Sequence, residues 1–541
     1  MTGIREILHQ PPADSQDATV RSNAKTAKVI VACIFATSLL LAAISTSWLS
    51  GFIVPLVIIA GIVILFSAWR NWEFGVQAVL VIVIFEGAVR KWLLPSASEF
   101  VYFYKDVVMI VSILSYLSRR NKPLLLIKER IKPFLITVAA LLVYAVASIS
   151  NPRAPHQLIG LFGLKVYCLY IPLAFMVPRM FPSKEKLIGF LQWYLLLTLP
   201  VIVIGVMQFR NADATSSLNR YAWNQEASES GIEGSGIAAF EDSEGNTYVR
   251  VTSTFSYISG LAVYLPVVFA LLLGFTSANL SRRSPRTLHW FSYFSLAAVV
   301  ATAFMTGSRS TLVSFITITL IFYAFTSLKN LKDRLLQVGF GCGLAYMALI
   351  LLFPQALDAM KTRALGGEEQ IEEGRGRIAS LFDLPIDEAA VAGPFGFGIG
   401  ATQNAVPSLM NGLNLTFQGE RIPIGYEVES ARVMLDLGVV GYLLYFLLRF
   451  TLFAILWRGC LSIKDHASKS LAIAVMSVLT VFLFIGGAVI NHTQNVYQWF
   501  LVGVCLALLN AEKLQQVEHS LSHTALNRLA NLSTTPVTPL S

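Results

Sequence analysis

Residues 255–277 read FSYISGLAVYLPVVFALLLGFTS, without a single Asp, Glu, Lys or Arg. A helix needs about 20 apolar residues to cross roughly 30 Å of hydrocarbon, so this stretch is long enough to span a membrane. Windows of about 19 residues find similar runs along most of the chain. They lie near 29–47, 51–68, 74–93, 101–117, 133–150, 158–178 and 187–208, then 288–305, 310–326, 337–353, 432–456, 470–490 and 495–512. The composition agrees. Of 541 residues, 55% are hydrophobic and 13% are Asp, Glu, Lys or Arg, against about 25% charged in soluble domains. This excludes a water-soluble enzyme, a disordered chain and a collagen-like fibre. The expected fold class is all-α, a polytopic integral membrane protein.

Basic residues concentrate in short segments that alternate with the spans, as in Arg119, Arg120, Lys122, Lys128, Arg130 and Lys132. The positive-inside rule then predicts about fourteen spans with both termini inside. The first span follows a polar tail and reads as an anchor rather than a cleaved leader. The expected organisation is a cytoplasmic tail (1–28), an N-terminal transmembrane bundle (29–208) and an outer loop (209–254). A transmembrane core (255–353), a large outer loop (354–431), C-terminal transmembrane helices (432–512) and a disordered cytoplasmic tail (513–541) follow. No internal repeat is found. The net charge of +9 reflects orientation in the membrane rather than nucleic-acid binding. The five cysteines lie in apolar runs without C-x-x-C spacing, so neither disulfides nor a thiol-bound metal is expected.

The long outer segments hold Arg210, Arg220, Arg250, Arg363, Arg375, Arg377, Arg421 and Arg432. A planar guanidinium binds phosphate with two parallel hydrogen bonds, which Lys cannot do. Arg250 precedes a span in RVTSTFSYISG, and Arg309 opens one in MTGSRSTLVSF. Both helix N-termini should face outward, where unpaired N–H groups favour an anion. Ser308, Ser310 and Thr311 are candidate caps. Each Arg alone is explained by snorkelling to lipid headgroups. Arg250, Arg309 and the Arg375/Arg377 pair together point to a shared anion site.

Other features are weaker. Glu86, Lys105, Asp106 and Lys165 lie inside spans. Mutual ion pairing accounts for them, and a proton or ion pathway is the sharper reading. His156 and His492 lack metal-ligand spacing, and no metal or cofactor is expected. Gly366–Gly376 (GGEEQIEEGRG) is compatible with a solvated loop. Pro394–Gly400 (PFGFGIG) signals a tight turn or close backbone approach.

In this order the pieces resemble the bacterial O-antigen ligase and polymerase superfamily, over roughly residues 187–510. Matching features are Arg250 with VTSTFSYISGLAVYL, the turn Gly307-Ser308-Arg309-Ser310, Arg377 followed by PFGFGIG, and Val428-ESARVMLDLGVVG. Where many members carry His-Asn, this chain has Glu427-Val428. That departure argues for a polysaccharide polymerase over a lipid A–core ligase.

The resemblance implies a GT-C-like fold in the bacterial inner membrane and metal-independent, inverting glycosyl transfer. The donor would be an undecaprenyl-diphosphate-linked saccharide and the acceptor a saccharide hydroxyl. Membrane lipid surrounds the site, and a chain-length regulator is a further expected partner. Arg250, Arg309, Arg375 and Arg377 would hold the diphosphate, supported by Ser308, Ser310 and Asp436. Glu427 or Glu429 would act as base. Two other classes compete. A metal-dependent transferase would need an acidic pair on the first outer loops, where residues 94–100 offer only Glu99. A lipid-linked oligosaccharide flippase or secondary transporter would show inverted repeats and broken helices, neither of which is legible here.

Overall fold

The computed structural model describes residues 47–119, 125–211, 216–222, 239–277, 286–326, 368–420 and 428–533, and 339–365 apart from 340, 341, 345 and 348. The expected first span therefore lies outside the described residues. Most of the rest is helix. In hydrocarbon every backbone N–H and C=O must find its partner within the protein, which leaves helices or closed barrels.

The first bundle contains α1 (Ser47–Arg70), α2 (Trp72–Ala88), α3 (Ser98–Ser118) and α4 (Lys132–Ser148). Asn71 starts α2 by accepting hydrogen bonds from the Glu73 and Phe74 N–H groups, and a π-helical turn, Val89–Leu93, ends it. Then come α5 (Gln157–Cys168), α6 (Leu173–Met180), α7 (Lys184–Leu196) and α8 (Thr198–Arg210). His156 caps α5, its ring nitrogen accepting from the Leu158 N–H at 3.1 Å.

A two-stranded antiparallel hairpin follows, β1 (Ala239–Glu241) with β2 (Thr247–Val249). The second bundle contains α9 (Ile258–Ser277), α10 (Arg286–Met305) and α11 (Arg309–Phe325). Next are α12 (Pro354–Leu365), α13 (Glu368–Ala392) and α14 (Val406–Gly412). The chain closes with α15 (Glu429–Leu461), α16 (His466–Phe484) and α17 (His492–Ser533).

Among the described residues seven helices are long and apolar enough to cross a membrane, or nine if two bent pairs each count as one span. One of those pairs is α5 with α6, bent by 41° where residues 158–178 read as a single span. Four shorter apolar helices, Pro55–Arg70, Lys132–Ser148, Phe294–Met305 and Arg309–Phe325, coincide with further expected spans. The protein is a multi-pass, all-α membrane protein. Its interior is built on α9, α16 and α17, which carry long runs of buried residues. Small residues let these helices approach. A Cβ at Gly503 of α17 would lie 2.6 Å from Val177 Cβ of α6.

Three expectations need correction. The tail after residue 512 is helical through Ser533, not disordered. Before Pro536 it contains no Gly or Pro and carries five Leu, a residue that favours helix. Residues 354–431 contain the three helices α12, α13 and α14, and most of GGEEQIEEGRG lies within α13 rather than in a solvated loop. Acidic residues open that helix, where they complement its dipole. The third correction is α15 itself. It is not one rod, because Gly438 breaks it with φ 65° and ψ −174°.

Candidate functional site

The segment between the hairpin and α9 is irregular backbone held by side chains from several other elements. Val251, Thr252, Ser253, Thr254 and Phe255 are all buried. Ser253 has φ 51°, an uncommon left-handed conformation for a residue with a side chain. Gln208 of α8 holds it there. Its buried amide oxygen accepts from the Ser253 N–H at 2.7 Å and the Thr252 N–H at 3.2 Å. Lys91, buried in the middle of the first bundle's π-turn, donates to the Thr252 hydroxyl at 3.0 Å and to the Ser253 carbonyl. Arg90 donates to the Ser256 hydroxyl at 3.0 Å and to the Ala222 carbonyl at 3.1 Å. Gly87 permits this contact, because a Cβ there would fall 2.1 Å from the Ser256 nitrogen.

Arg250 begins this clamped segment. Its Nε donates to the Thr306 carbonyl at 3.1 Å, and the next residue's N–H, from Val251, reaches the Met305 carbonyl at 3.4 Å. A Cβ at Gly307 would stand 3.4 Å from Arg250 Nε. The Arg250 guanidinium thus lies on the turn that opens α11, and Arg309 is the first residue of that helix. These two arginines are brought to one turn.

Ser308 occupies the N-cap position, but its side chain makes no capping bond. Instead its hydroxyl pairs with that of Ser310 at 2.9 Å. The buried Thr311 hydroxyl, one turn into the helix, has no hydrogen-bond partner among the described residues. The start of α11 therefore brings two arginine-bearing positions, a helix N-terminus and an unpaired hydroxyl to one end of the helix.

The other expected site residues are placed differently. Arg375 is exposed on α13, which packs against α12 and α15 rather than against this turn. The Arg377 side chain and Glu427 lie outside the described residues. Glu429 does not have the position expected of a base. It is 5% exposed, and its carboxylate accepts from Arg449 at 2.5 Å, the Tyr445 hydroxyl at 3.0 Å and the Val489 N–H at 2.9 Å. A carboxylate this buried and held by three donors is placed as an ion-pair partner rather than as a base open to a substrate. Asp436 is buried against the segment that follows PFGFGIG, and its hydrogen bonds are not with the arginine turn. It accepts from the Thr402 N–H at 2.8 Å and the Tyr167 hydroxyl at 2.9 Å.

Those contacts draw PFGFGIG into the core. Gly396 packs against the break in α15, where a Cβ would lie 2.5 Å from the Gly438 nitrogen. The Phe397 N–H donates to the Leu435 carbonyl at 2.8 Å, and the Tyr144 hydroxyl donates to the Leu437 carbonyl at 2.6 Å. Carbonyls freed by the break are satisfied by loop and helix donors, as a membrane interior requires.

The charges inside the first bundle and α5 pair with one another, as the sequence suggested. Lys105 lies 2.7 Å from Glu86, and Lys165 lies 2.8 Å from Asp106. Arg90, Lys105 and Lys165 all lie near the Tyr102 ring, within 5.1 Å of its centroid. The roles of Arg90, Lys91 and Gln208 were missed by the sequence reading. The signal available was an adjacent Arg-Lys pair at the end of an apolar run. Compared with known proteins, the chain matches no family model and no curated protein.

Proposed function

We propose that this chain is a membrane glycosyltransferase of the O-antigen ligase and polymerase type. It would polymerise or transfer saccharide from an undecaprenyl-diphosphate-linked donor at the outer face of the bacterial inner membrane. One observation carries the reading: Arg250 Nε is bonded to the Thr306 carbonyl, in the turn from which Arg309 opens α11 at its N-terminus. About fourteen spans, an N-in/C-in topology and a GT-C-like architecture belong to this proposal.

The acceptor hydroxyl attacks the anomeric carbon as the bond to the diphosphate oxygen breaks, and that oxygen keeps the electron pair. Fixed cations aimed at the developing charge are the largest available catalytic contribution, typically about 3–4 kcal/mol per donor. Arg250 and Arg309 supply them, and direct attack inverts the anomeric configuration. With the Glu429 carboxylate engaged elsewhere, Glu427 is the candidate base for the acceptor proton. Polymerase activity is preferred over lipid A–core ligation, because Glu427-Val428 replaces the ligases' His-Asn.

A second reading is a lipid-linked oligosaccharide flippase or secondary transporter. The reversal at Gly438 and the bend between α5 and α6 favour it, since broken helices build transporter sites. One experiment separates the two. Detergent-purified protein, given a lipid-diphosphate-linked repeat and no bilayer to cross, should lengthen the saccharide. Arg250→Ala and Arg309→Ala should abolish this while leaving expression intact. Wild-type product from either variant would remove the basis of the proposal.

A further inference from the structure

Helix α13 carries an apolar face that no part of the described chain covers. Ile378, Phe382 and Ile386, spaced i, i+4 and i+8, are 64, 67 and 73% exposed. Residues at this spacing form one stripe along a helix. The side next to this stripe is buried, with Pro385, Glu388 and Ala392 turned inward. On the α15 side the Ser430 hydroxyl donates to the Leu381 carbonyl at 3.1 Å. The exposed flank is acidic, with Asp383 and Asp387. The helix is therefore amphipathic, and its outward half divides into an apolar and a charged strip.

The apolar strip continues beyond the helix. The Val439 and Val440 N–H groups donate to the Gly393 and Pro394 carbonyls at 3.1 and 3.2 Å, tying the end of α13 to the long arm of α15. Phe395, in the same turn, is 63% exposed. Val439, Val440 and Leu443 on α15 are exposed as well, and they lie on a helix apolar enough to span a membrane. The α13 stripe is thus an extension of a surface that faces lipid.

We infer that α13 is an interfacial helix that lies in the bilayer surface, with Ile378, Phe382 and Ile386 sunk to the acyl boundary and Asp383 and Asp387 in water. The occupant of the face is phospholipid. A second protein chain would not need the stripe to join the lipid-facing side of a span. Arg375, one turn before Ile378 and exposed, then sits at headgroup depth. This placement gives Arg375 a lipid phosphate as partner and anchors the turn that leads into PFGFGIG.

The test uses the full chain in nanodiscs of phosphatidylethanolamine and phosphatidylglycerol. Single cysteines at 382, 386, 383 and 387, on a background with the native cysteines replaced, carry a bimane label. Brominated acyl chains should quench the labels from Phe382→Cys and Ile386→Cys about twofold or more beyond those from Asp383→Cys and Asp387→Cys, and aqueous iodide should show the reverse order. Iodide quenching that is equal at all four sites would mean a solvated face and overturn the inference. Protection of 382 and 386 from both quenchers would mean a protein partner and overturn it equally. If a variant does not fold, Ile378→Cys reports on the same stripe.

Discussion

Glu429 and Arg449 stand 2.5 Å apart although twenty residues separate them on what reads as one helix. A straight helix rises 1.5 Å per residue and would hold them about 30 Å apart. The chain therefore folds back at Gly438, and this ion pair closes the fold between a short arm and a span-length arm. Both side chains are almost fully buried, and Arg449 also donates to the Phe482 carbonyl. Removing one partner of such a pair leaves an uncompensated buried charge, which costs about 3–5 kcal/mol. Glu429→Gln should therefore lower the thermal unfolding temperature of the purified protein markedly. The double variant Glu429→Gln/Arg449→Met should recover part of the loss. Unchanged unfolding in the single variant would mean that the pair does not close the hairpin.

The reversal depends on two glycines that occupy the same space. A Cβ at Gly438 would lie 2.4 Å from the Gly396 nitrogen, and one at Gly396 would lie 2.5 Å from the Gly438 nitrogen. Both have positive φ, where an L side chain costs about 1–2 kcal/mol before any clash is counted. Both obstacles are backbone and cannot rotate away. Gly438→Ala and Gly396→Ala should each open the 393–438 region to limited proteolysis. Gly376→Ala, with no atom within 4 Å of its added Cβ, should leave the digestion pattern unchanged. Equal resistance in all three variants would contradict the interlock.

How much of this was legible follows from the range of each interaction. The spans were readable because a run of about 20 apolar residues is a local property. The pairing of Glu86 with Lys105 and Asp106 with Lys165 was readable because charges in lipid need partners. Arg250 and Arg309 were readable as helix-terminal cations, but the docking of Arg250 on the turn before Arg309 was not, since it depends on a contact between residues 250 and 306. The fold at Gly438 was hidden because GVVG fits inside a helix, and the partners that hold the reversal, Tyr445 and Arg449, are distant in sequence. Glycines in GGEEQIEEGRG suggested a loop, yet packing of α13 along α15 overrides their weak local preference. Glu429 looked like a free carboxylate for the same reason: its three donors come from residues 445, 449 and 489.

The hairpin beside the arginine turn should respond to acid. Hydrogen bonds from the Asn246 side chain, and from the Asn246 and Glu244 N–H groups, hold the Asp242 carboxyl below the usual carboxylate range. A carboxyl depressed in the folded state stabilises the fold above its unfolded pKa, and that contribution fades as pH falls through the folded value. Amide exchange in residues 240–249 should therefore rise, relative to the intrinsic rate, as pH falls below about 4. Asp242→Asn should exchange faster at neutral pH and lose this acid dependence. Exchange that is flat with pH in the wild type would show that the turn does not depend on the charge.

The clamp on Arg250 can be tested apart from the chemistry. Gln208 touches neither Arg250 nor Arg309 in the hydrogen-bond network described, but it fixes the left-handed Ser253 through two N–H groups and anchors itself to the Leu218 carbonyl at 2.8 Å. Gln208→Leu keeps the volume and removes all three bonds, leaving buried N–H groups unpaired at about 1–3 kcal/mol. If Gln208 acts by positioning Arg250, the variant should weaken binding of undecaprenyl diphosphate by about tenfold, because small displacements of a binding group are costly. Adding Gln208→Leu to Arg250→Ala should then cost almost nothing further, since residues that act as one unit are not additive. A double variant whose loss equals the product of the two single losses would show that Gln208 stabilises the fold without setting the arginine. Unchanged affinity in Gln208→Leu alone would show that the turn holds Arg250 without it.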